Sequence, residues 1–133
     1  ASKGGGAFCN QRRLRVSSRS HLMDCVIATG IPLAGYGPSE PCFQRLNHTM
    51  GKVAGIRHFG AAALDLCYVA AGRYDGYFED DLKSWDIAAG LLMVTEAGGL
   101  VTDFGGKETM LTSGEVVAGN STVHPFLRES ISA

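Results

Sequence analysis

Glu79, Asp80, Asp81 and Asp86 place four carboxylates within eight residues, and the last of them heads an apolar periodic run. Ile87, Leu91 and Val94, with Ala88 and Leu92 beside them, recur at i, i+4 and i+7, which writes one buried face of a helix. Gly98 and Gly99 can enter the left-handed region and end that helix. Two chemistries suit an Asp in the position of Asp86. It can cap the helix by accepting hydrogen bonds from the unpaired N–H groups of the first turn. It can equally present hard oxygens to a divalent cation from a preorganised helix start. Spacing alone does not choose between them.

The elements that must position these acids follow the chain. Ala7-Phe8-Cys9 and Leu14-Arg15-Val16-Ser17 read as short strands around an Asn10-Gln11-Arg12 turn, with Gly4, Gly5 and Gly6 as a turn before them. No Gly-Lys-Ser/Thr follows those glycines and the next element is a strand, so a phosphate cradle is not favoured there. Residues 25–30 form a continuous apolar run, as in a strand buried on both faces. Residues 35–38 read as a loop, and Pro41 sits in the first turn of a helix along which Phe43, Leu46, Met50 and Val53 recur. Residues 56–59 read as a strand. Gly60, Ala61, Ala62 and Ala63 then open a helix through Leu64, Leu66, Val69 and Ala70, ending at Gly72. Small residues at such a junction allow either close packing or a close backbone approach to a ligand. A strand over residues 74–78 delivers Glu79, and strands over 100–103 and 115–119 bracket a polar Gly105-Gly106-Lys107 turn. A terminal helix begins within 120–127. Strands alternating with helices imply an α/β layer with helices packed on a mixed sheet.

Composition narrows the classes. The 133 residues fit one modest domain or a piece of a larger one, and Lys+Arg 12 against Asp+Glu 13 argues against a nucleic-acid surface driven by net charge. Arg12, Arg13 and Arg15 read as the exposed side of a hairpin. No apolar run reaches membrane-spanning length. The four cysteines form no CxxC pair and the four histidines no HxxxH pair, so buried reduced thiols in a cytoplasmic protein are expected rather than disulfides or a zinc site. The chain opens Ala1-Ser2-Lys3 without an initiator Met or a secretory signal, as the middle of a longer protein would.

Trp85-Asp86-Ile87-Ala88-Ala89-Gly90, followed by Val94-Thr95-Glu96-Ala97-Gly98-Gly99, closely resembles the second motif of the inositol monophosphatase family, and the similarity extends over essentially the whole chain. Gly60-Ala61-Ala62-Ala63-Leu64-Asp65-Leu66 is similar to the segment whose small-residue turn touches the substrate ring. Residues 70–79 are similar to the strand whose final Glu bonds substrate hydroxyls. The resemblance therefore implies Mg²⁺ as cofactor with Asp86 as its catalytic ligand, Glu79 as the substrate-contacting residue, and Gly60, Ala61 and Ala62 as further contacts. It implies a small phosphorylated polyol as substrate, water as nucleophile and a homodimer; from the charge balance and apolar run lengths, neither nucleic acid nor membrane is expected as a partner.

By that resemblance the chain is the C-terminal half of the family's layered α/β sandwich. Residues 1–20 would be the end strands of an N-terminal α+β domain and 21–133 the C-terminal α/β domain. The family's Glu-Glu pair and Asp-Pro-x-Asp-Gly-Thr motif, which hold most of the metal ligands, do not occur in these 133 residues. The missing half would have to supply them, and the isolated chain is expected to be inactive. Two alternatives stand beside this expectation: a fructose-bisphosphate or nucleotide-phosphate phosphatase, and a non-catalytic dimerisation or interaction module.

Overall fold

A computed structural model describes residues 1–31 and 40–132; the loop expected at 35–38 lies outside them. A two-residue hairpin pairs β1 (Phe8–Cys9) with β2 (Arg12–Arg13), Cys9 facing Arg12. Its turn is Asn10-Gln11, both with positive φ (49° and 69°), the twist that a tight two-residue hairpin needs. This moves the second strand forward from the expected 14–17, because so short a turn puts Arg12 directly opposite Cys9. Arg12, Arg13 and Arg15 are exposed, as expected. Val16 instead docks its N–H on the Ala97 carbonyl at 3.1 Å.

The main sheet runs β4 (Gly55–Arg57), β3 (Val26–Thr29), β5 (Gly76–Glu79), β7 (Val116–Gly119), β6 (Leu100–Thr102). β3 pairs parallel with both β4 and β5, whereas β7 is antiparallel to β5 and β6. Alternation along the central strands feeds two cores. Ala28, Tyr77, Val116 and Ala118 pack on one side with Leu66 and Val69 of α2 (Ala62–Ala70) and Ile87, Leu91 and Val94 of α3 (Ser84–Glu96). Ile27, Phe78 and Val117 pack on the other with Val123, Leu127 and Ile131 of α5 (Val123–Ser132), against which α1 (Glu40–Met50) also lies. The expected mixed α/β layering is present, with a period-two pattern in the strands as its cause. Pro41 lies in the first turn of α1, as expected.

Two short elements went unread in the sequence: a 3₁₀ turn over Leu22–Asp24 and the one-turn α4 over Met110–Ser113. The end of α3 is as expected. Gly98 has φ +87°, its N–H bonds the Thr95 carbonyl, and the Gly99 N–H reaches back to Val94, so a left-handed residue closes the helix. Cys25 is buried and Cys67 half-buried, but Cys9 is exposed on the hairpin, against the expectation of uniformly buried thiols. The hairpin's register turns it outward. No helix among the described residues is long and apolar enough to cross a membrane.

Candidate functional site

β3, β4 and β5 run in the same direction, so the helices that follow them start along one edge of the sheet. The connection after β3 leads through α1 to β4, while the one after β4 leads through α2, on the opposite face, across to β5. The carboxyl ends of β3 and β5 therefore flank a point where the chain departs to opposite faces, the place where open α/β sheets leave a crevice. Thr29-Gly30 and Phe78-Glu79 stand there. The Thr29 hydroxyl donates to the Phe78 carbonyl at 2.8 Å, and His58 Nδ1 at the end of β4 donates to the Thr29 carbonyl at 3.2 Å. Three strand ends are thereby tied into one rim.

Glu79 lies on this rim, half-buried, on the same face of β5 as Tyr77. The Tyr77 hydroxyl, on a fully buried side chain, donates to Glu79 Oε1 at 2.5 Å. Burial raises the Glu79 carboxyl above its ordinary value; the Tyr77 hydrogen bond and His58 work against that, and the charges of Asp80 and Asp86 add to it. Gly30 lies so close that a Cβ placed on it would stand 2.0 Å from Glu79 Cδ.

The four acids read from the sequence are thus not equivalent. Asp80 turns away to an ion pair with Arg45 of α1 at 2.8 Å, and Asp81 is exposed at φ +57°. Asp86 is not the residue before the helix. The helix starts at Ser84, with Lys83 as its N-cap, and Asp86 is the third residue, accepting the Lys83 N–H on Oδ2 at 3.3 Å. Its side chain still serves the first turn, but from inside it, so the local geometry starts the helix three residues earlier than the apolar periodicity implied. Asp86 is exposed, next to Trp85, which is 79% exposed.

Gly60, Ala61 and Ala62 form the entry to α2, with Gly60 at φ +77° and Ala61 as an N-cap that contributes no side-chain hydrogen bond. One turn further on stands a residue whose chemistry sequence reasoning passed over. Asp65 is fully buried and, among the described residues, neither carboxyl oxygen has a hydrogen-bond partner. Burial, then the charge of Glu79, push it up to about 6, with His58 opposing. Its signal in the sequence is one acid set among Ala, Leu, Cys and Val along an otherwise apolar helix. Asp65, Glu79 and Asp86 all act electrostatically on the Tyr77 hydroxyl, which burial raises. The structure thus gathers Glu79, Asp86 and the α2 entry on one side of one sheet edge.

Hard carboxylate oxygens of this kind suit Mg²⁺. Yet among the described residues no three His, Cys, Asp or Glu side chains come close enough to hold a metal ion. The fit is partial: Asp86 is an exposed carboxylate that could serve as one donor, and the remaining donors would be water or groups outside this set.

The sequence pattern of the inositol monophosphatase family matches residues 1–133. An inositol-1-monophosphatase of Rhizobium meliloti is 53% identical over 131 residues, covering 98% of this chain and 49% of that protein. A putative Nus factor SuhB of Neisseria meningitidis serogroup B is 50% identical over 133 residues, covering 100% of this chain and 51% of that protein. The crystal structure of the extragenic suppressor protein suhB of Bartonella henselae superposes with a TM-score of 0.92 at 49% identity, covering 100% of this chain and 52% of that one. The chain spans about half the length of the relatives that it matches.

Proposed function

Because this chain belongs to the inositol monophosphatase family, we propose that the protein hydrolyses a small phosphorylated polyol of the inositol monophosphate type with Mg²⁺. The single observation that carries the reading is the placement of Glu79 and Asp86 beside the α2 entry at the strand-end crevice. Mg²⁺, when bound, supplies charge to an attacking water and to the phosphate oxygens. Asp86, exposed at the rigid start of α3, is the residue of this chain that would hold it. Glu79 accepts a substrate hydroxyl on the oxygen that Tyr77 leaves free. The backbone of Gly60, Ala61 and Ala62, with no side chain beyond a methyl, lets the polyol ring lie against the start of α2. The rest of the ligand set comes from the half of the protein that this chain does not span, so the chain alone is inactive. In the same reading residues 1–20 belong to a neighbouring α+β domain and 21–133 to this one, and the protein is a cytoplasmic homodimer.

A second reading, a non-catalytic interaction role, is favoured by the relatives named as Nus factors at comparable identity. The two separate in one assay. The full-length protein should release phosphate from inositol 1-phosphate only with Mg²⁺. Asp86→Asn should lower the rate by at least about 100-fold, since even groups behind a metal's ligands cost roughly 10–100-fold. Phosphate release from no polyol monophosphate, Mg²⁺ supplied, would sink the enzymatic reading.

A further inference from the structure

We propose that Tyr77 and Gly30 are positioning residues which fix one oxygen of Glu79 and leave the other to accept a substrate hydroxyl. The inference rests on the reading of Glu79 as the substrate contact. A glutamate at a strand end has three side-chain torsions, and holding it still costs rotamer entropy. Here two features of the fold hold it. Tyr77 is two residues earlier on β5, so strand alternation puts both side chains on one face. Its ring is locked in the core shared by α2 and α3, and its hydroxyl has Glu79 Oε1 as its acceptor at 2.5 Å. Burial keeps that hydroxyl protonated, so it remains a donor. Gly30 supplies the other wall. A Cβ there would stand 2.0, 2.2 and 2.3 Å from Cδ, Oε2 and Oε1 of Glu79, so the carboxylate occupies the space that any other residue at position 30 would fill. Gly30 φ lies outside the left-handed range, so the backbone would accept alanine. The three atoms nearest that Cβ all belong to the movable end of Glu79. The absence of a side chain at position 30 thus makes room for the carboxylate rather than serving a left-handed turn.

The test compares full-length wild type with Tyr77→Phe and Gly30→Ala on two phosphomonoesters, inositol 1-phosphate and p-nitrophenyl phosphate, the second of which has no ring hydroxyls for Glu79 to hold. Both variants should lower the ratio of kcat/KM for the first over the second by about tenfold, through KM, the worth of one hydrogen bond. A ratio unchanged within about twofold while both activities fall together would show a merely structural role and overturn the inference. If the wild type hydrolyses neither ester, the enzymatic reading fails, and the positioning claim is decided by ¹³C NMR of the Glu79 carboxyl. Removing the Tyr77 donor should raise its titration midpoint, because the hydrogen bond favours the ionised form, with His58, Asp65, Asp80 and Asp86 present in both proteins. An unmoved midpoint overturns the claim.

Discussion

The two ends of β5 carry carboxylates that are treated in opposite ways. Asp75, just before the strand, is buried and fully engaged. It accepts from the Ser17 hydroxyl at 2.6 Å, the Val26 N–H at 2.8 Å and Arg19 at 3.3 Å, which fastens residues 17–19 to the start of β3. Asn120 completes that clasp by donating to the carbonyls of Ser17 and Arg19. Glu79, four residues on, has among the described residues one donor, Tyr77, and a neighbourhood of further acids, of which Asp65 has no hydrogen-bond partner there. A fold that satisfies one acid this completely can satisfy another. The region at the carboxyl end is kept unsatisfied, and unsatisfied buried polar groups mark sites that await something from outside.

The same contrast recurs elsewhere on the molecule. Glu96 at the end of α3 receives the Gly6 N–H at 2.9 Å, and hydrogen bonds from the backbone of Gly6 and Gly4 lower its carboxyl. The glycine trio is thus wrapped around an internal carboxylate, which agrees with its reading as a turn. Asp103 takes the Lys107 N–H at 2.8 Å and the Thr109 hydroxyl, closing the loop after β6. Asp75, Glu96 and Asp103, away from the crevice, are each held by hydrogen bonds from the chain, whereas the buried Asp65 beside it has none among the described residues.

The largest expected effect tests the satisfied end. Asp75→Ala should cost about 3 kcal/mol in urea unfolding, because it strands a buried N–H and a hydroxyl and frees residues 17–19. A loss below about 1 kcal/mol would erase the distinction. A smaller effect sharpens the other end. The Asp65 carboxyl rises from 3.8 to about 6, so the folded chain holds this proton more tightly than the unfolded one. Its ionisation penalty is absent below about pH 4, grows through pH 4–6 and is complete above that. Asp65→Asn should therefore remove about 1–2 kcal/mol of the stability lost between pH 4 and 7, once screening at the mouth of the site is allowed for. An unchanged pH slope would place Asp65 in a solvated setting.

Much of this fold is legible in the sequence because its causes are local. The apolar run at β3, the periodicity of α3 and its Gly98 stop each act within one element, and all three appear where expected. Boundaries set by turn and capping geometry do not. β2 lies at Arg12–Arg13 because two turn residues adopt positive φ, and α3 starts at Ser84 because Asp86 can serve the first turn from its third position. In the site, the motif wording singled out Glu79 and Asp86 but could not rank the acids. Asp80 is spent on Arg45, a partner 35 residues away in sequence. Gly30 is unreadable as a site residue, since only the parallel pairing of β3 and β5 brings it to Glu79, whereas Tyr77 reaches Glu79 by the alternation of β5 alone.

The most direct measurement is urea unfolding of Glu79→Gln in the full-length protein at pH 7.5 beside KM for inositol 1-phosphate on the same preparation. Glutamine keeps an acceptor for Tyr77 and carries no charge, and burial disfavours the charged form of Glu79. Stability should therefore be equal to wild type or higher, while KM rises about tenfold. A stability loss above about 1 kcal/mol with KM unchanged would make Glu79 a structural acid like Asp75, and the contrast between the two ends of β5 would fall.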